Sequence, residues 1–153
     1  MGAASALLLA QNGAKVAISG RREENLREVS SRSNSGSPLH IKPADIADRE
    51  SLKRLFDWFD GELGELDILV NAAGINVPNR AIGKLSGEDW DAVMKTNLTG
   101  AFDCIKLALD RMRPRRDGLI VMINSISGKR SNPLGGVAYN ASKFGMTALG
   151  ACV

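Results

Sequence analysis

The chain has few of the residues that build covalent or metal-based sites. Of its 153 residues only two are cysteines, Cys104 and Cys152, and they lie far apart along the chain. Zinc sites and disulfide frameworks of small proteins require paired cysteine spacings, which are absent here. The single histidine, His40, has no second histidine with which to form a ligand set or a catalytic triad. The sequence therefore predicts neither a disulfide nor a metal site.

Aromatic residues are also scarce, at 5% of the chain, and the net charge is only +3. The basic residues form small groups rather than one extended stripe. Proteins that bind nucleic acids combine a basic surface with aromatic side chains that stack on bases. We therefore expect no nucleic-acid partner.

Long apolar runs are missing as well. The longest uncharged stretch near the start, residues 1–14, is interrupted by Gln11, Asn12 and Gly13, and no basic segment precedes it. A membrane-spanning helix needs about 20 apolar residues, and a secretory signal begins with a basic region. We expect no membrane partner and a cytoplasmic location.

What the chain does have is a regular alternation of apolar runs of strand length with amphipathic stretches of helix length. Its length and its 44% hydrophobic residues suffice for one core, so residues 1–153 are interpreted as one partial domain. This alternation predicts a doubly wound parallel sheet with helices on both faces, an α/β fold of the Rossmann-like class. The predicted strands are residues 15–19, 39–42, 66–71 and 118–124, and the predicted helices are residues 3–11, 22–31, 49–61, 87–95, 98–112 and 137–150.

The sharpest chemical signal is the pair Tyr139 and Lys143, four residues apart in a helical segment. At this spacing the two side chains lie on one helix face, about one turn apart. A tyrosine hydroxyl ordinarily keeps its proton at neutral pH, but a nearby ammonium stabilises the phenolate. The pair can therefore exchange a proton with a carbonyl oxygen. Such pairs are also common on helix surfaces, so the spacing alone does not identify a site.

Two further segments follow predicted strands, at the sheet edge where ligands bind in this architecture. Ser125 can hydrogen-bond a substrate oxygen, and its alternative role is that of a polar turn residue before Gly128. The other segment has small side chains that let the backbone approach a ligand, although by itself it is also compatible with a tight loop. Its residues are Asn71, Ala72, Ala73 and Gly74.

Taken in this order, these motifs resemble the short-chain dehydrogenase/reductase family, and the resemblance covers essentially the whole chain. It implies that residues 71–74 stabilise the sheet and face the cofactor. It also implies that Asn97 is the helix asparagine that holds a catalytic water. The family's remaining catalytic residues lie further along the chain.

The resemblance implies that Ser125 orients the substrate carbonyl, since Gly128 follows it at the spacing of the family motif. Ser127 is a weaker candidate in the same loop. Tyr139 corresponds to the general acid or base. Lys143 corresponds to the residue that assists this tyrosine and bonds the nicotinamide ribose.

A nicotinamide cofactor is implied too, but its phosphate-binding loop is incomplete. In the family, a Thr-Gly-x-x-x-Gly-x-Gly loop follows the first strand and opens the first helix. Only the last glycine of this loop has a counterpart, Gly2. We therefore expect that the chain is truncated at both ends and lacks the first strand and the last strands.

Other residues bear on the choice between NADP and NAD. After the strand at 15–19 the sequence has Arg21 where an acidic residue would pair with the ribose hydroxyls of NAD. A guanidinium at this point favours the 2′-phosphate of NADP, with Arg22 as second choice and a plain surface arginine as the alternative. Asp45 and Ile46 correspond to the family's adenine-contacting pair, and a plain helix-preceding aspartate is the alternative.

The sequence thus predicts an oxidoreductase that transfers a hydride between NADP(H) and a small alcohol or carbonyl substrate, and that forms a homo-oligomer when complete. The substrate is not predicted, because the family's specificity loop follows the Tyr-Lys helix. The alternative is a non-catalytic fragment or short isoform that acts through association with another subunit, using the helices at 98–112 and 137–150. The chain as printed is expected to be inactive by itself.

Overall fold

The computed structural model describes residues 1–34 and 38–153 of the chain. All four predicted strands and all six predicted helices are present. In order, the elements are α1 (Gly2–Gln11), β1 (Ala17–Gly20), α2 (Glu23–Ser31), β2 (His40–Pro43), α3 (Arg49–Glu62), β3 (Ile68–Asn71), α4 (Gly87–Met94), a π-helical turn (Lys95–Thr99), α5 (Gly100–Met112), a 3₁₀ turn (Arg113–Arg115), β4 (Leu119–Met122), a second 3₁₀ turn (Ile126–Gly128) and α6 (Val137–Ala151). Across both described ranges, the helices are too short or too polar to cross a bilayer.

The strands pair in parallel, as the alternation of strands and helices predicts. β1 lies beside β2 with Ala17 opposite His40, and β3 lies beside β4 with Ile68 opposite Leu119. In the described part of the chain these are two separate pairs rather than one continuous sheet. In the doubly wound strand order 3-2-1-4-5-6, β1 and β2 of this chain correspond to strands 2 and 3, and β3 and β4 correspond to strands 4 and 5. Strand 1 of that order lies between the two pairs. The pairing therefore agrees with the predicted Rossmann-like class.

One predicted break is wrong. The sequence predicts separate helices at 87–95 and 98–112, whereas the backbone continues from α4 through the π-helical turn into α5. The polar residues Thr96 and Asn97 have low helix propensity, which is why a break is expected there. Tertiary hydrogen bonds from the buried Asn97 to Ile75 offset that preference.

The main core lies between α3 and α5. Leu52 and Phe56, four residues apart on α3, pack against Cys104, Ala108 and Met112 of α5. Burial, with a smaller contribution from the neighbouring acid, raises the pKa of the Cys104 thiol to about 12. Cys104 is therefore a core residue and has no thiolate character at neutral pH.

A second apolar cluster places α6 beside the loop that follows β3. Val77 of that loop packs with Val93 of α4 and Ala138 of α6, and Trp90 covers the cluster. Ala138 precedes Tyr139 in the first turn of α6, so this packing fixes where the Tyr-Lys helix begins relative to β3. The elements that carry the predicted site are thereby brought to one edge of the molecule.

Candidate active site

An open cavity of about 500 Å³ lies at the carboxyl ends of β3 and β4. The loop after β3, the loop after β4 and the start of α6 line it. Its lining includes these members of the predicted site: Ala72, Ala73, Gly74, Ser127, Tyr139 and Lys143. Another cavity, of about 470 Å³, lies between α5 and β4 and contains none of the predicted site residues. The cavity at the strand ends is thus the candidate active site.

Tyr139 and Lys143 face this cavity from one side of α6. The Lys143 Nζ lies 5.7 Å from the centre of the Tyr139 ring, and the residue Lys143 as a whole is only 4% exposed. Nζ donates hydrogen bonds to the Ile123 carbonyl at 3.2 Å and to Met146 Sδ at 3.2 Å. Desolvation lowers the pKa of Lys143. The arrangement holds a partly desolvated ammonium against the ring whose phenolate it can stabilise.

Asn97 fixes the loop after β3 against this helix. Its Oδ1 accepts from the Ile75 amide at 2.7 Å, and its Nδ2 donates to the Ile75 carbonyl at 2.9 Å and to Ser142 Oγ at 3.1 Å. A Cβ at Gly74 would lie 3.5 Å from Asn97 Oδ1 and 3.7 Å from Lys143 Nζ. Gly74 therefore lies between Asn97 and Lys143, beside the cavity that Gly74 and Lys143 line. The role of Asn97 in holding a water stays a prediction.

The two serines of the loop after β4 have different surroundings. Ser125 Oγ accepts from the Ser127 amide at 3.2 Å and so begins the 3₁₀ turn. Ser127 lines the cavity, and its Oγ accepts from Asn132 Nδ2 at 3.1 Å. Gly128 lets this loop approach α6, since a Cβ there would lie 2.6 Å from the Lys143 carbonyl oxygen. The assignment of Ser125 as the carbonyl-orienting residue stays a prediction.

Two of the predicted cofactor residues join this site from outside the cavity. A Cβ at Gly2 would lie 3.2 Å from the Ala72 Cβ, so the start of α1 packs directly on the loop after β3. Asn71 is buried, and its Nδ2 donates to the Ala101 carbonyl at 3.2 Å. Asn71 thereby links the end of β3 to α5, which agrees with a sheet-stabilising role.

The remaining cofactor candidates lie at the carboxyl ends of β1 and β2, away from Tyr139. Arg21 is exposed in the turn after β1. The Asp45 carboxylate accepts from the Ala47 amide at 2.9 Å and stabilises the turn after β2. Ile46 packs on α5, where a Cβ at Gly100 would lie 2.6 Å from the Ile46 carbonyl oxygen. Contacts of Arg21, Asp45 and Ile46 with a cofactor stay predictions.

The structure adds cavity residues that were not predicted. Asn76 Nδ2 donates to the Gly135 carbonyl at 3.0 Å, and Arg80 Nη1 donates to the Leu134 carbonyl at 3.1 Å. All four residues line the cavity, together with Asn132. Polar loop residues of this kind carry no periodic pattern, and their partners are more than 50 residues away in sequence. Nothing local in the sequence identifies them.

Comparison with known proteins gives consistent matches over the whole chain. The sequence profile of the family described as short chain dehydrogenase matches residues 1–153. A 3-oxoacyl-[acyl-carrier-protein] reductase from Thermotoga maritima is 34% identical over 151 residues, which are 97% of this chain and 60% of that protein. A 3beta-hydroxysteroid dehydrogenase from Mediterraneibacter gnavus is 32% identical over 150 residues, 97% of this chain and 54% of that protein.

A solved structure has the same fold. A metagenomic short-chain oxidoreductase in complex with NADP superimposes with a TM-score of 0.91 at 29% identity, covering 99% of this chain and 68% of that one. The chain spans 60% of the length of the Thermotoga relative.

Proposed function

This chain belongs to the short-chain dehydrogenase family, and we propose that the protein carrying it transfers a hydride between NADP(H) and an alcohol or carbonyl substrate. The observation that carries the proposal is the position of the buried Lys143 ammonium, 5.7 Å from the ring of the cavity-lining Tyr139. A phenol and an ammonium in one cavity suit proton transfer to a carbonyl oxygen. The cavity lies at the strand ends, where doubly wound folds bind ligands.

The residues around the cavity fit a nicotinamide cofactor. Ala72, Ala73 and Gly74 form a wall with little or no side chain, and a Cβ at Gly74 would lie in ordinary contact with Lys143 Nζ, at 3.7 Å. This wall and Lys143 would hold the nicotinamide ribose, and Gly2 at the start of α1 would approach the phosphates. The bound cofactor supplies or accepts the hydride.

The chain's own residues supply the proton and the orientation. In the reducing direction the Tyr139 hydroxyl donates its proton to the substrate oxygen, and the Lys143 ammonium stabilises the phenolate that remains. Ser125, with the cavity-lining Ser127 as the alternative, donates a hydrogen bond to the same oxygen and orients the carbonyl. Asn97 holds the loop after β3 in place through Ile75. The reverse direction uses the same groups with the proton moving to Tyr139.

The test is the Tyr139→Phe variant of the gene product that carries residues 1–153. Loss of the phenolic proton should lower turnover by about 100- to 10,000-fold while NADPH binding, measured by fluorescence, stays within about twofold. Lys143→Ala should weaken both turnover and NADPH affinity. The exposed Lys106 of α5 provides the matched control, since Lys106→Ala should change neither. Full activity of Tyr139→Phe would contradict the proposed mechanism.

The preference for NADP rests on Arg21. Arg21 is exposed and directly follows β1, at the position where an acidic residue would pair with an unphosphorylated ribose. We expect kcat/KM to be higher with NADPH than with NADH, and Arg21→Ala should reduce the ratio about tenfold, the value of one charge-assisted hydrogen bond. Arg32→Ala, at the other end of α2, is the control. Equal efficiency with both cofactors in the unmutated protein would contradict this role of Arg21.

Subunit association is a second candidate role. Phe102 of α5 is 46% exposed and Phe144 of α6 is 43% exposed, an unusual position for aromatic side chains. The proposal is that these helices pair with a second copy of the chain. Phe144→Ser should then shift sedimentation toward the monomer, whereas Leu8→Ser on α1 should not. A protein that associates in this way but turns over no carbonyl would act by association alone.

A further inference from the structure

The charges of the candidate active site have one sign. Among the described side chains that line the cavity only those of Arg80 and Lys143 are charged, and both are cations. Neither forms an ion pair with any carboxylate in residues 1–34 or 38–153. The other polar lining side chains are uncharged amides and hydroxyls: Asn76, Asn124, Ser127, Asn132 and Tyr139. The cavity therefore offers two positive charges that form no ion pair within residues 1–34 and 38–153.

The Arg80 guanidinium has a defined orientation at the cavity wall. Its Nε donates to the Val77 carbonyl at 2.8 Å and its Nη1 donates to the Leu134 carbonyl at 3.1 Å. These two bonds fix the guanidinium plane between the loops that follow β3 and β4. Nη2 makes no hydrogen bond to the described residues, which leaves one edge of the fork available. The guanidinium is a planar cation with five N–H donors in a fixed fork.

Arg80 also lies next to the start of the Tyr-Lys helix. Its carbonyl accepts from the Val137 amide at 3.1 Å, and Val137 is the first residue of α6. Gly136 has φ of +77°, and a Cβ there would lie 2.3 Å from the Arg80 Cβ. Arg80 and Tyr139 therefore line one cavity, and the contacts of Arg80 with Gly136 and Val137 fix the start of α6 beside it.

From this geometry we propose that Arg80 makes the enzyme selective for substrates that carry a carboxylate, with Nη2 binding that carboxylate while the reacting carbonyl lies at Tyr139. The substrate class is then oxo acids and the corresponding hydroxy acids. Guanidinium geometry suits a carboxylate, and an anion supplies the counter-charge that the cavity lacks. This inference rests on the proposed function and adds the substrate class to it.

The experiment compares linear oxo acids with their methyl esters in the gene product that carries residues 1–153. The oxo acids differ in the separation of oxo group and carboxylate, and NADPH consumption is followed for each acid and ester. At the best separation the acid should exceed its ester in kcat/KM by about 10- to 100-fold. Arg80→Gln should raise KM for that acid by a similar factor, with kcat and the ester kinetics changed less than about twofold.

Two more variants control the comparison. Arg80→Lys keeps the charge and should recover part of the lost affinity for the acid. Arg130→Gln removes an exposed cation from the loop after β4 that does not line the cavity, and should leave the acid preference unchanged. Thermal unfolding of each variant shows whether it is folded.

Several results would overturn the inference. Arg80→Gln lowering kcat equally for acid and ester would make Arg80 a positioning residue for α6 only. A loss of NADPH affinity in Arg80→Gln would assign the cation to the cofactor phosphates. If the unmutated protein reduces the oxo group of the methyl esters as efficiently as that of the free acids, it has no such selectivity. If the unmutated protein reduces no carbonyl compound, the proposed function fails, and ligand-observed NMR of acid against ester binding to the unmutated and Arg80→Gln proteins still decides the role of Arg80.

Discussion

Replacing Gly128 with alanine should separate the two segments that carry the serines and the Tyr-Lys pair. A Cβ at Gly128 would lie 2.6 Å from the Lys143 carbonyl oxygen and 2.8 Å from Asn124 Nδ2. Ordinary contact begins near 3.4 Å, so the loop and α6 must move apart by about 0.8 Å. The carbonyl belongs to the helix backbone and cannot rotate away. The Asn124 amide is itself held by Thr147 Oγ1 at 2.8 Å.

This displacement sets the expected magnitudes. Overpacking of this kind costs about 1 to 3 kcal/mol of folding stability. A shift approaching 1 Å at Lys143 also moves Tyr139, the proposed proton donor on the same helix, away from the loop after β4, and should lower the rate by up to about 100-fold. Gly128→Ala should therefore reduce both the free energy of unfolding, measured by urea titration, and kcat.

A second glycine provides the control. Gly61, near the end of α3, has no atom within 4 Å of a built Cβ, so Gly61→Ala should leave kcat unchanged and stabilise the helix by up to about 1 kcal/mol. If Gly128→Ala retains the stability and the kcat of the unmutated protein, the close approach of loop and helix does not constrain the site, and the reasoning fails.

Three other predictions concern stability. Asn97→Ala should lower the free energy of unfolding by about 2 to 4 kcal/mol in urea titrations, because it leaves the amide and carbonyl of Ile75 without partners; an unchanged midpoint would contradict this. Because desolvation lowers the pKa of Lys143, the unfolded chain binds more protons than the folded chain between that lowered value and about pH 10.4. The free energy of unfolding of the unmutated protein minus that of Lys143→Met should therefore rise with pH across this window. If this difference falls instead, the ammonium is not desolvated. Residues 1–153 expressed alone should melt without a sharp transition and should not bind NADPH, because in the described residues β1 and β3 are each paired on one edge only, which leaves backbone amides and carbonyls of the other edge without strand partners; a cooperative melt with micromolar binding would refute this.

The sequence predicts the existence of each strand and helix better than their ends. The apolar run at 66–71 becomes a strand only from Ile68, and the Leu66 carbonyl instead accepts from Arg115 at 2.8 Å. The strand predicted at 118–124 ends at Met122, where the Asn124 side chain turns toward α6. The hydrophobic periodicity identifies an element because burial of one face places apolar residues at regular intervals along its whole length. Its ends depend on partners elsewhere in the chain, which periodicity does not contain.

The same distinction applies to the candidate site. Tyr139 and Lys143 are recognisable because their spacing of four residues is itself the geometry that matters. Arg80 is not, since its contact with Leu134 spans 54 residues. Ser125 and Ser127 are two residues apart, and which of them faces the cavity depends on how tightly the 3₁₀ turn winds. Local patterns therefore identify the proposed proton-transfer pair, whereas the other cavity residues are defined by tertiary contacts.

The π-helical turn at Lys95–Thr99 constrains how this gene can change. A π turn contains more residues than an α turn, and each α-helical residue advances the side chains by about 100°. The turn thus takes up one extra residue within nearly the rotation of an α turn, and α4 and α5 keep the orientations that the cavity wall and the core require. Deleting a single codon within the turn would restore regular winding and leave the two helices close to their present orientation, provided that Asn97 is retained opposite Ile75. A deletion elsewhere in α4 or α5 has no such turn to absorb it, and would rotate the cavity wall relative to the core by about 100° in a single step.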